Sequence, residues 1–153
     1  MLKVEFLNMI KEFRPYIDRL RSSGLKPTRQ RLSICKILFD RKETFHFTIE
    51  KLKKILEKNR KKKISLATIY NTVHVFKKKG YLKEIPLKGN KTFFDTNTEN
   101  HHHFYDEDSS QLIDIKNEKF SISNLPSAPN GKKIKDIEIT IRVANNNQKH
   151  KNN

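Results

Sequence analysis

Cysteine occurs once in this chain, at Cys35, and tryptophan not at all. A single thiol excludes, within one chain, a disulfide framework, a four-cysteine zinc site and an iron–sulfur cluster. Long apolar runs are also missing, so no segment reads as a bilayer-spanning helix. Met1 to Ile10 carries Lys3 and Glu5 and shows no cleavable signal pattern. These absences give the expectation of a cytoplasmic protein with no membrane partner. Acidic residues are scarce too, but only in part of the chain. Residues 1–88 hold 24 basic and 8 acidic side chains, whereas residues 89–153 hold 9 of each.

The whole net charge of +16 therefore belongs to the front of the chain. A coding bias toward Lys, Asn and Ile would act on both halves, so the asymmetry points to a polyanion bound by the front half alone. The 153 residues suffice for one ordinary domain or two small ones. Ten Phe and 16 Ile supply a core despite a charged fraction of 33%.

Periodicity gives the architecture. Leu2, Phe6, Ile10, Phe13, Ile17 and Leu20 recur at helical spacing, with Pro15 marking a kink or restart and Gly24 a stop. Thr28 opens a second helix with Leu32, Ile34, Cys35, Leu38 and Phe39 inward. Thr48 opens a third, with Ile49, Leu52, Ile55 and Leu56 inward. After the basic loop Lys58 to Lys63, Ser65 opens a fourth, with Leu66, Ile69, Val73 and Phe76 inward and Gly80 as its stop. The period then changes to two. Tyr81 to Pro86 and Lys91 to Asp95 read as strands around a turn at Leu87-Lys88-Gly89-Asn90. Helices followed by a basic-tipped hairpin make a winged helix-turn-helix, with 65–79 as recognition helix. Beyond the polar link Thr96 to Asn100, strands are predicted over 101–106, 112–115 and 134–143, with an acidic turn at Glu107 to Ser110. The segment Asn124 to Gly131, with two Pro, fits only a short helix or loop, and the 144–153 tail is expected to be disordered. The fold class expected is α+β: a winged-helix domain over 1–95, then a small α/β domain over 96–143. So few strands bury little, and oligomerisation is a usual remedy, so 96–143 is read as a dimerisation and ligand-sensing domain.

Two groups of residues carry chemistry. Thr68, Tyr70, Asn71 and His74 lie opposite the buried stripe of the fourth helix. Asn reads adenine by two hydrogen bonds, and Thr or Tyr touches a thymine methyl or a phosphate. Lys26, Thr28, Arg29 and Arg31 gather where the second helix begins, a place suited to gripping phosphates. Taken singly, each is an ordinary polar surface residue; the charge asymmetry and the winged-helix pattern together favour DNA. The other group is His101-His102-His103. On a strand, His101 and His103 share one face and His102 takes the other. Asp95, at the end of the wing, and His46, in the loop before the third helix, complete a set of three imidazoles and a carboxylate, which suits Zn²⁺, or Fe²⁺ or Mn²⁺ with added ligands. The triple also suits axial ligation of haem iron by His101, His102 or His103. Cys35 sits on an inward stripe and reads as a small buried hydrophobe.

These segments resemble the ferric uptake regulator superfamily over nearly the whole ordered length. The resemblance rests on Gly24-Leu25-Lys26-Pro27-Thr28-Arg29-Gln30-Arg31, on Ser65-Leu66-Ala67-Thr68-Ile69-Tyr70-Asn71-Thr72, and on Phe93-Phe94-Asp95 followed by the His triple. Within the superfamily the chain is most similar to the iron response regulator branch, through Thr92 to Asn97, His101 to Tyr105, Leu112 to Ile115 and Leu125-Pro126. Typical members carry Cys-x-x-Cys zinc motifs where this chain has Asp106-Glu107-Asp108-Ser109-Ser110. The resemblance implies a homodimer on palindromic promoter DNA. It implies an inter-domain metal site at His46, Asp95, His101 and His103, with Lys26 in the minor groove and Tyr70 on bases. Ser65 and Thr68 fall within the matching recognition helix and join the candidate DNA contacts. For the branch it implies regulation of iron or haem metabolism.

The reading is thus a dimeric, non-enzymatic transcription repressor or activator controlled by a divalent metal (Zn, Fe or Mn) or haem. Two alternatives stand beside it: a metal-dependent hydrolase using the His triple, and a nonspecific nucleic-acid-coating protein. The charge distribution makes one expectation directly measurable. If roughly 6–10 phosphates are contacted per dimer, DNA affinity drops about 10³–10⁵-fold between 50 and 200 mM salt. A flat salt response in a fluorescence-anisotropy titration would remove the electrostatic argument.

Overall fold

The computed structural model describes residues 2–58, 63–116 and 120–146, with side chains from Lys11 onward in the first helix. The middle of the predicted basic loop (59–62) and most of the predicted tail (147–153) lie outside the described residues, as do the side chains of Leu2, Phe6 and Ile10. The chain divides into two compact units, Met1–Thr98 and Glu99–Asn153.

The first unit holds four helices: α1 (Leu2–Ser22), α2 (Arg29–Phe39), α3 (Ile49–Lys58) and α4 (Leu66–Lys78). α1 runs through Pro15 instead of restarting there. Proline removes one N–H donor from the helix, and Pro15 stands on an exposed side. Glycines end α1 and α4 as their positions suggest. Gly24 and Gly80 take φ of 76° and 75°. The following amides close six-residue loops, Leu25 N donating to Leu20 O and Tyr81 N to Phe76 O, each at 2.9 Å. Thr28 and Thr48 cap their helices, their hydroxyl oxygens accepting from Arg31 N at 3.4 Å and Lys51 N at 3.2 Å. Ser65 behaves differently from expectation. It occupies the N-cap position of α4, but its hydroxyl makes no capping bond. Its carbonyl alone receives the Thr68 and Ile69 amides.

The helices close over one core that includes Leu20, Ile34, Cys35, Leu38, Leu52, Leu56, Ile69, Val73 and Phe76. Leu66, expected inward, is 45% exposed because it sits in the first helical position, before α4 meets the core. Thr72 takes an inward place instead; its buried hydroxyl donates to Thr68 O at 2.7 Å, which removes the cost of leaving it unpaired. Arg19 lies over the rings of Phe39 and Tyr81, at 4.0 and 4.9 Å, pinning α1 to α2 and to the start of the hairpin.

The hairpin is β2 (Lys83–Pro86) and β3 (Thr92–Asp95), antiparallel, closed by Leu87 N donating to Lys91 O at 2.8 Å. Gly89 and Asn90 adopt positive φ in its turn, as that chemistry predicts. The sheet has a third strand that periodicity did not reveal. β1 (His46–Phe47) pairs antiparallel with β3 and gives the order β1-β3-β2. His46, expected in a loop, is therefore on a strand. Two residues are too few to show a period.

The second unit is a three-stranded sheet, β4 (His102–Asp106), β5 (Gln111–Ile115) and β6 (Thr140–Val143), in the order β5-β4-β6. Asp106 shapes the β4–β5 turn by accepting from Ser109 Oγ at 2.6 Å and from the Asp108 amide at 3.0 Å. The Ser109 hydroxyl holds the Asp106 carboxyl below its ordinary range. The described part of the chain between β5 and β6 contains no helix. β6 pairs parallel with β4, His103 opposite Thr140. The strand predicted over 134–143 thus forms only from Thr140. Its partner β4 begins at His102, beside Ile139, so residues 134–138 have no partner in β4; Ile139 gives its carbonyl to His103 N at 3.0 Å.

Burial pushes the Cys35 thiol up to about 12, against the opposing pull of Arg19. An unfolded thiol ionises at about 8.5, so the folded state holds its proton where the unfolded chain releases it. Stability is intact below that range and falls as pH rises from it toward about 12. We expect Cys35 to resist a thiol reagent at pH 8 until the protein is denatured; fast labelling of the native protein would contradict its burial.

Candidate metal-binding and DNA-binding residues

In the first unit, strand register places a His beside a carboxylate. The β1–β3 pairing sets His46 opposite Asp95 and Phe47 opposite Phe94. His46 Nε2 lies 3.2 Å from Asp95 Oδ2. Asp95 is wholly buried, and its other oxygen accepts from Asn97 N at 2.8 Å. Thr96 N donates to Phe45 O at 3.3 Å and Phe45 N to Thr96 Oγ1 at 2.9 Å, which extends the pairing. A carboxylate withdrawn from water requires donors or a cation around it, and an imidazole beside such a carboxylate is a donor pair suited to a divalent ion.

The second unit builds its own set by the same device. β4 and β5 pair so that His103 faces Asp114 and Tyr105 faces Leu112. His101 and His103 share that face, as alternation predicts, with ring centroids 4.3 Å apart. Their Nε2 atoms lie 3.3 and 3.4 Å from Asp114 Oδ1. One ligand atom from each of the three residues falls within 4.8 Å of the others. His101 Nδ1 is 2.8 Å from the Glu99 carbonyl, which can only accept, so Nδ1 carries the proton. In the neutral tautomer Nε2 is then an acceptor facing a carboxylate oxygen. A divalent cation between them suits that arrangement, and the Glu99 carbonyl is the outer partner that orients a ligating His. This His/Asp cluster is capable of coordinating a divalent metal. His102 points elsewhere: its ring lies 4.3 Å from Phe120, and its Nδ1 accepts from Ile139 N at 3.3 Å.

Asp114 was not among the ligands read from the sequence, although a signal existed. With a four-residue turn at Glu107–Ser110, counting back from Asp106 opposite Gln111 brings Asp114 opposite His103.

The candidate DNA-contacting residues occupy two places in the first unit. Lys26, Thr28 and Arg29 are exposed where α2 begins, and Tyr70, Asn71 and Ser65 are exposed on α4, Tyr70 by 41%. Thr68 is half-buried. Arg31 joins the two places. Its guanidinium donates to Lys26 O at 3.1 Å and to Asn71 Oδ1 at 3.4 Å. Lys77 pairs with Glu84 and ties the end of α4 to β2.

A winged-helix unit followed by a small sheet, with His/Asp ligand groups in each, is the architecture of a metal-responsive transcription regulator. Residues 22–142 match the ferric uptake regulator family, and the chain belongs to that family. It is 32% identical over 115 residues, 75% of this chain and 76% of the relative, to the peroxide-responsive repressor PerR of Staphylococcus aureus. The fold is similar to the Vibrio cholerae ferric uptake regulator, with a TM-score of 0.64 and 21% identity over 84% of this chain and 98% of that one. It is also similar to the Pseudomonas aeruginosa ferric uptake regulator with manganese, with a TM-score of 0.59 and 20% identity over 86% and 98%. Members of the family are DNA-binding regulators, not enzymes, which sets aside the hydrolase alternative. Among the described residues no helix is long and apolar enough to cross a membrane.

For the second-unit cluster we expect His101→Ala with His103→Ala to abolish bound metal, measured by elemental analysis, while the sheet persists. Asp114→Asn should weaken binding by at least the roughly 10–100-fold that loss of an outer-shell partner costs, and His102→Ala should leave metal content unchanged. Full metal content in the double variant would show that the ion sits elsewhere.

Proposed function

We propose that this chain is a cytoplasmic, homodimeric transcription repressor of metal homeostasis that binds palindromic promoter DNA when a divalent ion is bound. The observation that carries the reading is the pair of ligand groups flanking one short link: His46 with Asp95 before it, His101, His103 and Asp114 after it. Five residues separate Asp95 from His101, so the two ligand groups are near neighbours in the chain. Three imidazoles and two carboxylates exceed the four ligands typical of structural zinc and suit Fe²⁺ or Mn²⁺, with Zn²⁺ as the tetrahedral alternative. Residues 1–95 are the DNA-binding part, and residues 96–143 the dimerisation and sensing part. Exposed Ile113, Leu125, Ile134 and Val143 support a partner subunit for the small sheet.

On the DNA side, Lys26, Thr28, Arg29 and Arg31 grip phosphate and minor groove, and Ser65, Thr68, Tyr70 and Asn71 face the major groove. Arg31, by holding Asn71, also orients a base reader. The similarity to a peroxide-responsive repressor adds a second reading, release of DNA on exposure to peroxide, tested by adding hydrogen peroxide to the metal-loaded complex. The narrower iron response regulator reading places haem on the His101–His103 triple. His102 stands outside the carboxylate cluster, so a haem absorbance band that shifts on His102→Ala tests that version.

The main test is operator discrimination measured by anisotropy with and without Mn²⁺. Tyr70→Ala and Asn71→Ala should each reduce discrimination between operator and scrambled DNA by about 1–3 kcal/mol per lost base contact, while Arg29→Ala weakens both duplexes alike. Equal loss on every duplex for all three variants would indicate a nonspecific coating protein.

A further inference from the structure

An exposed tyrosine on a helix exchanges between its allowed rotamers unless something holds the ring, yet a base contact requires one orientation. Tyr70 is held. His74, one turn further along α4, lies with its ring parallel to Tyr70 within 9° at a centroid separation of 5.9 Å. The same imidazole meets Phe94 edge-on, at 90° and 5.9 Å. Phe94 is buried and stacks on Phe47 at 5.6 Å, and Phe47 stacks on Phe45 at 5.3 Å. These three phenylalanines belong to β3, to β1 and to the residue just before β1. Phe94 is the chain neighbour of Asp95 and Phe47 that of His46, and the two pairs stand in register. The aromatic row therefore runs from the strand pair that carries two ligand residues to the exposed face of α4, within one unit.

We propose that His74 is a positioning residue for DNA readout: its ring, wedged between Tyr70 and Phe94, fixes the Tyr70 ring against the β1–β3 strand pair in the orientation that contacts a base. The inference deepens the proposed function and rests on its assignment of Tyr70 to the DNA. Packing alone gives His74 this role. The site requires a flat ring at position 74, not a donor or an acceptor, and that separates positioning from a direct base contact by His74.

The experiment uses the full chain loaded with Mn²⁺, an operator duplex and a set of single base-pair variants of it. His74→Ala should lower discrimination at the same base pairs as Tyr70→Ala, by about 2–10-fold, the range expected for losing one aromatic stack. The double variant should be no worse than Tyr70→Ala alone. His74→Phe, which keeps the ring and removes both nitrogens, should restore wild-type discrimination. Affinity for scrambled DNA should stay unchanged in His74→Ala and His74→Phe. In the free protein, NMR couplings should show the Tyr70 side chain averaging among rotamers in His74→Ala and remaining fixed in His74→Phe. Additive losses in the double variant, failure of His74→Phe to restore readout, or a fixed Tyr70 in His74→Ala would each overturn the proposal. If Tyr70→Ala itself leaves every base preference intact, the readout assignment fails with it; if Tyr70→Ala matters and His74→Ala does not, only the role of His74 falls.

Discussion

Withdrawing a carboxylate from water costs several kcal/mol unless hydrogen bonds and positive charge replace the lost hydration. Asp95 is wholly buried at the end of β3. The Asn97 amide serves one oxygen and the His46 imidazole lies beside the other. Much of the local architecture follows from providing for that group. The two-residue strand β1 brings His46 into register, Thr96 and Phe45 lock the strand ends together, and the buried Phe47 and Phe94 close the opposite side. A loop in place of β1 would leave the imidazole free to wander and the carboxylate poorly served.

Longer elements were legible because they repeat. Four helices, their threonine caps at Thr28 and Thr48 and their glycine stops at Gly24 and Gly80 follow from spacing and backbone chemistry alone. What escaped was short or depended on a neighbour. β1 has too few residues for a period, and the extent of β6 is set by where β4 begins, which lies almost forty positions earlier in the chain. Ser65 has the residue type of a cap but not the hydrogen bond, since a cap is a matter of side-chain rotamer as well as identity. His46, Asp95, His101 and His103 were recognised as ligand types from their chemistry, and the alternation that separates His102 from its neighbours follows from strand geometry. Asp114 needed one further step, counting across a turn.

The charge distribution and the structural division fall at nearly the same place in the chain. The excess of positive charge belongs to residues 1–88, and the first compact unit ends at Thr98. Residues 89–153 carry no net charge, and the turn of the second sheet is acidic. In the first unit, the cationic side chains do more than attract phosphate. Arg31 spends its guanidinium on the Lys26 carbonyl and on Asn71, and Arg19 on two aromatic faces. Charge that looks uniform in a composition count is divided between holding the protein together and meeting a ligand.

The turn from Glu107 to Ser110 has a consequence for how this sequence can change. Side chains alternate across a strand, so adding or deleting one residue in that turn, without a compensating bulge, turns Asp114 toward the opposite face and brings Ile113 or Ile115 to His103. The donor set would exchange a carboxylate for a hydrocarbon with every ligand residue still present in the sequence. Asp106 enforces the count by binding the turn's own hydroxyl and amide groups. The length of an acidic surface turn, itself outside the His/Asp cluster, thus acts as a measuring device for the candidate donor set of the sheet beneath it.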